Sequence, residues 1–167
     1  MPSQATYERL EAYGFGVDYP SDCVIELDPK SKRSEGDIAL KSPSGYKLFL
    51  SWGDLEKVKK LNGVDAHADY SVDRIKGGRE TKVRDVRKDS MVVNGHRSAF
   101  REVDLETLRR GTFLHTSTIR EHVRSLHVHC DVTGRYFVIY GPVSPDKSEE
   151  QGEVLSRMVK AFVCHGQ

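Results

Sequence analysis

Short segments in which apolar and polar residues alternate, separated by turn-forming residues, fill much of this 167-residue chain. The clearest segment places Tyr46, Leu48, Leu50 and Trp52 at every second position. Successive side chains of a β-strand point to opposite faces, so this pattern predicts a strand with one buried face. Similar segments precede it and are joined by short turns without intervening helices. This arrangement favours an antiparallel sheet.

Two stretches carry helical spacing instead of alternation. In the range 54–76, Asp54 stands where an N-cap residue would accept the free amides of a first turn. The range is interrupted near Gly63, and Gly77 and Gly78 are predicted to end it. The second stretch lies near the C-terminus, where apolar residues recur on one helical face: Leu155, Met158, Val159 and Phe162.

Composition limits the class of protein. Apolar residues make up 37% of the chain and charged residues 31%, as in globular proteins with a charged surface. No apolar run approaches the roughly 20 residues of a membrane span, and no apolar stretch follows a basic N-terminus. We therefore expect no membrane association and no signal peptide. The widely spaced Cys23, Cys130 and Cys164 are expected to be reduced and buried, which predicts a cytoplasmic protein.

Basic residues outnumber acidic ones between Arg74 and Arg124, a balance that could attract an acidic partner or nucleic acid. The charges are interleaved with acidic residues, so a solvated sheet face explains them more simply. RNA-binding sheets also need exposed aromatic residues on neighbouring strands. Only Phe100-Arg101 and the stretch 135–137 approach that pattern. Nucleic acid is therefore not a favoured partner.

Catalytic motifs are missing from the sequence: it has no nucleophile elbow, Walker loop, dinucleotide fingerprint or Cys-x-x-Cys pair. Cys164 and His165 are adjacent, but neighbouring residues on a helix point about 100° apart and do not face each other. They form no catalytic pair by themselves. Cys164 would instead join a metal cluster if the end of the last helix lay near the strand that contains His127 and His129.

The strongest candidate site is the segment 126–131. Strand alternation predicts that His127, His129 and Asp131 share one face, opposite an apolar face. Two imidazoles two residues apart on a strand can reach one metal ion, and zinc or a similar divalent ion suits two histidines with a carboxylate. The alternative is that these are polar residues on a solvated or helix-covered sheet face.

Three stretches of the sequence resemble the PsbP-like family. The opening phrase 13–23 is similar to the first strand of that family, and 93–99 is similar to its mid-chain hairpin. The strand 136–140 and the final helix are similar to its ending. The resemblance implies an α+β fold, an α/β/α sandwich whose twisted antiparallel sheet has about six to eight strands and helices on both faces. One departure is Cys23, which stands where the family usually has tryptophan.

The resemblance also implies a function class. The family contains extrinsic photosystem II subunits and a Ran-binding nuclear-transport factor, and its known members are mainly non-enzymatic. We therefore predict a single domain, 1–167, that acts as a non-catalytic module and binds another protein. Because the edge strands of a sheet are natural pairing sites, a homodimer through a sheet edge is a further expectation. The alternative is a metal- or small-ligand-binding protein, or a hydrolytic enzyme, that uses His127, His129 and Asp131.

Overall fold

Nine strands and two α-helices make up the regular structure of residues 5–76 and 80–166, which the computed structural model describes. The strands are β1 (Tyr7–Ala12), β2 (Phe15–Pro20), β3 (Val24–Leu27), β4 (Gly36–Lys41), β5 (Lys47–Asp54), β6 (Thr81–Val93), β7 (His96–Arg110), β8 (Thr116–Cys130) and β9 (Arg135–Val143). The helices are α1 (Val64–Lys76) and α2 (Ser148–Ala161). Short 3₁₀ helices cover Leu55–Leu61, Thr112–Leu114 and Pro145–Lys147.

Seven strands form one sheet in the order β3-β4-β5-β9-β8-β7-β6, and every neighbouring pair is antiparallel. The remaining two strands, β1 and β2, form a separate hairpin. The prediction of an α+β fold with an antiparallel sheet of this size is confirmed.

The two α-helices lie on opposite faces of the sheet. α1 packs on β7 and β8, and α2 packs mainly on β2, with further contacts to β5 and β9. Strand β8 shows the two faces directly, because Leu126 and Val128 belong to the apolar core and His127 and His129 contact α1. The predicted sandwich with helices on both faces is confirmed. Among the described residues, no helix is long and apolar enough to cross a membrane.

The helical range after β5 begins as predicted. The Asp54 carboxylate accepts a hydrogen bond from the backbone N–H of Glu56 at 2.9 Å, and Asn62 ends the 3₁₀ helix in the left-handed conformation with φ of 59°. α1 then starts at Val64. The predicted stop at Gly77 and Gly78 lies outside the described residues.

Some strands extend through charged segments that have little apolar alternation. β6 is continuous over 13 residues, and β7 runs through Arg109 and Arg110. Both arginines pair with β8, opposite Ser117 and Thr116. The hairpin partner supplies the hydrogen bonds, and this tertiary pairing outweighs the weak strand propensity of a charged segment.

Candidate functional site

Two cysteines and two histidines from separate parts of the chain converge at one end of the sheet. His96 is the first residue of β7, Cys130 is the last residue of β8, and Cys164 and His165 follow α2. The four ligand atoms of these side chains lie within 4.8 Å of one another, and both cysteines are fully buried. We call these four residues the thiol–histidine cluster.

Two features position the cluster: a tight turn between β6 and β7, and hydrogen bonds that hold the tail after α2 against β2. Asn94 and Gly95 both have positive φ, 49° and 82°, in the turn that reverses β6 into β7. After α2, Val163 exchanges two backbone hydrogen bonds with Gly16, at 2.8 and 2.9 Å. Because this exchange fixes the tail, the two residues after Val163 are held against the end of β8.

The imidazole of His165 lies at the centre of the contacts. Its Nδ1 is 3.3 Å from Cys164 Sγ, 3.6 Å from Cys130 Sγ and 3.4 Å from His96 Nε2. The Asn94 amide nitrogen is 3.3 Å from both Cys164 Sγ and His165 Nδ1. The second nitrogen of His96, Nδ1, is 3.4 Å from a carboxylate oxygen of Asp131.

The Cys164 thiol is not an activated nucleophile. Burial, followed by the hydrogen bond with Cys130, raises the pKa of this thiol to about 12. Reactive cysteines have pKa values lowered toward neutrality, because the thiolate is the attacking species. Cys164 and His165 also lie beyond α2 rather than on it, so the predicted divergence along a helix does not apply to them. Both point toward the same cluster.

A second group of polar side chains lies between α1 and the sheet. His67 Nδ1 is 2.9 Å from His129 Nε2, and Ser71 Oγ is 3.0 Å from His127 Nε2. His127 is fully buried, and His67 is 7% exposed. We call His67, Ser71, His127 and His129 the α1 histidine group.

These imidazoles are held neutral near pH 7. Burial lowers the pKa of His127 to about 3, with smaller contributions from His67, His129 and Arg101. Burial also lowers the pKa of His67 to about 4, and it lowers the pKa of His129. The close contact between His67 and His129 fits this state, since one neutral ring can donate the N–H that the other accepts.

The contact between Ser71 and His127 lacks the features of a hydrolase pair. A catalytic histidine is oriented by a third group and has a pKa near the working pH. Here the Ser71 hydroxyl donates to the carbonyl of His67 at 3.2 Å, and His127 Nδ1 has no hydrogen-bond partner among the described residues. This geometry gives no support to a hydrolytic role for the group.

The predicted site residues are only partly brought together. His127 and His129 share the face covered by α1, but Asp131 does not join them. β8 ends at Cys130, so strand alternation stops there, and Asp131 lies in the following turn beside His96. The expectation of a shared face for all three residues is therefore wrong. Metal binding by His127 and His129 stays a prediction.

A groove of about 880 Å³ lies between α2 and the β6–β7 hairpin. Met91, Phe100 and Val159 line it and are partly buried against the apolar core. Asn94 lines its end and also contacts the thiol–histidine cluster. The rim carries exposed charged residues of α2: Glu149, Glu153 and Lys160.

The sequence pattern did not select His96 or His165 as metal ligands, and it indicated only that Cys130 is a reduced, buried cysteine. The four residues are not related by a recognisable metal-binding spacing, because three distant segments supply them. Each residue lies at the end of a strand or beyond the end of a helix. A position at the end of an element could have marked these residues as candidates. The sequence does not show which strand and helix ends lie together in the fold.

No protein-family model matches the sequence, and no curated protein matches it. Solved structures do match. Cyanobacterial PsbP from Synechocystis sp. PCC 6803 aligns with a TM-score of 0.60 and 10% identity over 97% of this chain and 94% of that chain. LpqN of Mycobacterium tuberculosis, described as involved in cell envelope biogenesis, aligns with a TM-score of 0.51 and 14% identity over 96% of this chain and 91% of that chain.

The predicted resemblance in fold to PsbP-like proteins is confirmed by these alignments. At this level of identity the likeness concerns the fold, and function has to be argued from the side chains.

Proposed function

We propose that this protein is a non-catalytic binding module whose partner is an extended segment of another protein. The observation that carries the proposal is the end of β6, where the uncharged stretch 90–93 borders the groove beside α2. We also propose a location in the cytoplasm, which the three free, buried cysteines support.

β6 is the last strand in its sheet and pairs only with β7 among the described residues. Exposed edge strands are pairing sites for other chains, and proteins protect them with charged residues and β-bulges. The first part of β6 has both protections, since the pairing is irregular between Val83 and Asp85 and four basic residues occur there: Lys82, Arg84, Arg87 and Lys88. The stretch 90–93 has neither.

The groove beside this unprotected edge can accept side chains of a partner strand. Met91 and Val93 pack toward the core on the α2 side, and Val92 between them is 74% exposed. A strand added to β6 would direct every second side chain toward the groove. An apolar partner side chain there would be buried against Met91, Phe100 and Val159, which gives the hydrophobic contribution to binding.

The first half of α2 makes one part of the rim acidic and favours basic partner residues there, whereas Lys160 lies about two turns further along the helix. Glu149 and Glu153 are exposed on α2 beside the groove, and they lie one helical turn apart. Lys or Arg residues that flank the apolar positions of the partner would be attracted to this pair. Because exposed charges are screened by salt, this part of the affinity weakens as ionic strength rises.

The test compares two variants of α2 in affinity purification of the tagged full chain from its native host. Ser156→Trp places a large ring in the groove, and Arg157→Trp places the same ring on the neighbouring exposed position outside it. We expect a protein recovered in near-equal amount with the wild type and with Arg157→Trp, and lost with Ser156→Trp. Recovery of the bait alone, or equal recovery with both variants, would contradict the proposal.

A second comparison locates the pairing strand. Val92→Lys adds a charge to the proposed edge, and Val24→Lys adds the same charge to β3, the opposite edge, where Val24 is 60% exposed. We expect only Val92→Lys to weaken binding of the purified partner, and we expect the partner to slow hydrogen exchange of the amides in 90–93. If size-exclusion chromatography shows that the chain pairs with itself through β6, the partner is a second copy and the proposal of a different protein is wrong.

A further inference from the structure

We propose that the thiol–histidine cluster is a structural zinc site with four ligands: His96, Cys130, Cys164 and His165. The evidence for this proposal does not depend on the partner-binding role, although Asn94 connects the cluster with one end of the groove.

Three of the six separations between ligand atoms, those from His165 Nδ1, match a tetrahedron around one ion, and all six are at most 4.8 Å. With Zn–S bonds of about 2.3 Å and Zn–N bonds of about 2.05 Å, tetrahedral angles place S and N atoms about 3.6 Å apart and two N atoms about 3.3 Å apart. The distances from His165 Nδ1 are 3.6 Å to Cys130 Sγ, 3.3 Å to Cys164 Sγ and 3.4 Å to His96 Nε2. The other three separations are at most 4.8 Å, so a bound ion would draw those atoms about 1 Å closer at most.

The donor chemistry selects a borderline metal. Two thiolates with two imidazoles form one of the common ligand sets of structural zinc, and soft sulfur ligands disfavour magnesium and calcium. Two thiolates also balance the double positive charge of the ion, so the loaded site is neutral overall. This neutrality suits a place where both cysteines are fully buried.

Groups around the cluster orient the ligands. His96 directs Nε2 toward the other ligands, and its Nδ1 lies 3.4 Å from the Asp131 carboxylate, close enough for a small shift of this exposed side chain to give the carboxylate–histidine hydrogen bond that is common behind zinc. The Asn94 amide nitrogen, 3.3 Å from Cys164 Sγ, can donate to a thiolate. Arg135 donates to the backbone carbonyl of Cys164 at 3.4 Å and so helps to fix the tail.

Packing alone gives a weaker account of this arrangement. Buried cysteines pack readily as small apolar groups, but that role does not require imidazole nitrogens to face them or each other. Here two imidazole nitrogens and two sulfur atoms all lie within 4.8 Å of one another. A single divalent ion would satisfy all four of these atoms at once.

The site would act on structure rather than on a substrate. Because four protein ligands fill a tetrahedral zinc ion, no position remains open for a reacting molecule. The ion would join the β6–β7 turn, the end of β8 and the tail that follows α2. Since Asn94 contacts the cluster and also lines the groove, the ion would help to hold one end of that groove in place.

The first test measures metal in the full chain purified under reducing conditions without added chelator. We expect about one zinc ion per chain by elemental analysis. After removal of zinc and titration with Co²⁺, we expect the visible bands of tetrahedral cobalt and a near-ultraviolet thiolate-to-cobalt charge-transfer band. A spectrum without the thiolate band, or a disulfide between Cys130 and Cys164 in place of bound metal, would overturn the proposal.

Variants assign the ligands. Cys164→Ser and His165→Gln should each abolish the cobalt spectrum of the wild type, and Cys23→Ser should preserve it, because Cys23 is a buried cysteine outside the cluster. His165 is only partly buried, so His165→Gln decides the matter if Cys164→Ser fails to fold. If metal is retained in both of these variants but lost in the His127→Ala/His129→Ala double variant, the site lies in the α1 histidine group and our assignment is wrong.

A final variant tests the outer carboxylate. Asp131→Asn should weaken zinc affinity by about 10- to 100-fold in competition with a chromogenic chelator, without removing the thiolate band of the cobalt protein. Asp85→Asn serves as the control for the same change at an exposed carboxylate of β6, eight residues before the end of that strand, and it should leave the affinity unchanged. Equal affinities in the wild type and Asp131→Asn, together with ligand variants that bind normally, would show that this end of the sheet does not bind the ion.

Discussion

Arg101 carries a buried positive charge between β7 and α1. Its side chain is 2% exposed, and its Nε donates to the Asp69 carboxylate at 3.0 Å. It also donates to the backbone carbonyl of Phe100 at 2.8 Å, and Asp65 is a more distant partner at 3.5 Å. A buried guanidinium is costly unless it is paired and hydrogen-bonded, so Asp69 is the main compensating charge.

We therefore expect Asp69→Asn to lower the free energy of unfolding by about 2 kcal/mol, because it leaves the Arg101 charge poorly compensated. Urea denaturation monitored by circular dichroism measures the change. Glu11→Gln is the matched control, since the Glu11 side chain is 79% exposed and its ion pair with Arg9 is long, at 3.8 Å. A cost for Asp69→Asn no greater than that of the control would show that Asp65 and the carbonyl groups alone compensate the buried charge.

The histidines of β8 show what an alternating sequence pattern can predict and what it cannot. Alternation correctly predicts that His127 and His129 lie together and opposite Leu126 and Val128. It does not predict their neighbour His67, because contacts between a helix and a strand depend on where the helix docks. For the same reason the pattern could not show that Asp131 leaves the strand and lies beside His96.

At the scale of single elements, β9 has little free space beside Gly141. A Cβ atom at this position would lie 2.5 Å from the backbone carbonyl oxygen of Lys47 and 2.7 Å from Nε2 of the fully buried Gln151. The same Nε2 donates to the Lys47 carbonyl at 2.8 Å, which connects α2 with the start of β5. A side chain at 141 would press on this connection.

Gly141→Ala should therefore destabilise the protein by about 2–3 kcal/mol, because backbone atoms of β5 or the docked helix α2 must move. Thermal and urea unfolding give the change. Gly152→Ala is the comparison: the nearest atoms to its Cβ belong to the Arg124 guanidinium, at 3.1 Å, and not to the backbone. That guanidinium is hydrogen-bonded to Glu102 and Ser148, so it must shift slightly, but alanine also raises helix propensity by up to about 1 kcal/mol, and we expect a smaller net cost than for Gly141→Ala. If Gly141→Ala and the wild type have the same free energy of unfolding, the atoms around Lys47 accommodate the added methyl group without a loss of stability.

The elements that the sequence predicts well are those with an apolar face. The pattern of Leu155, Met158 and Phe162 predicts α2 because these side chains enter the core directly. β1 and the far ends of β7 and β8 carry many charged residues and little apolar periodicity. Their pairing partners hold them in strands, and the sequence of one segment does not show which other segment it pairs with.

On the scale of the whole molecule, the two layers around the sheet differ in chemistry. The layer between the sheet and α2 is the apolar core and includes Phe137, Ile139 and Met158. The layer between the sheet and α1 contains the buried polar residues His67, Arg101 and His127. The docking of α1 thus depends partly on histidines that acid can protonate, whereas the docking of α2 depends mainly on apolar burial.

The stability of the α1 layer should fall in mild acid. Burial holds the pKa of His127 at about 3 in the folded protein, below the usual value of 6.5, so the unfolded chain binds this proton more readily. Above about pH 7 His127 is neutral in both states, and the free energy of unfolding is unaffected by this group. Between pH 7 and pH 5 the unfolded chain takes up the proton, and the free energy of unfolding falls by about 2 kcal/mol. In urea titrations across this range, His127→Gln should lose less stability than the wild type on acidification, and His115→Gln, at an exposed histidine, should follow the wild type. Parallel pH profiles for His127→Gln and the wild type would show that burial does not hold His127 neutral.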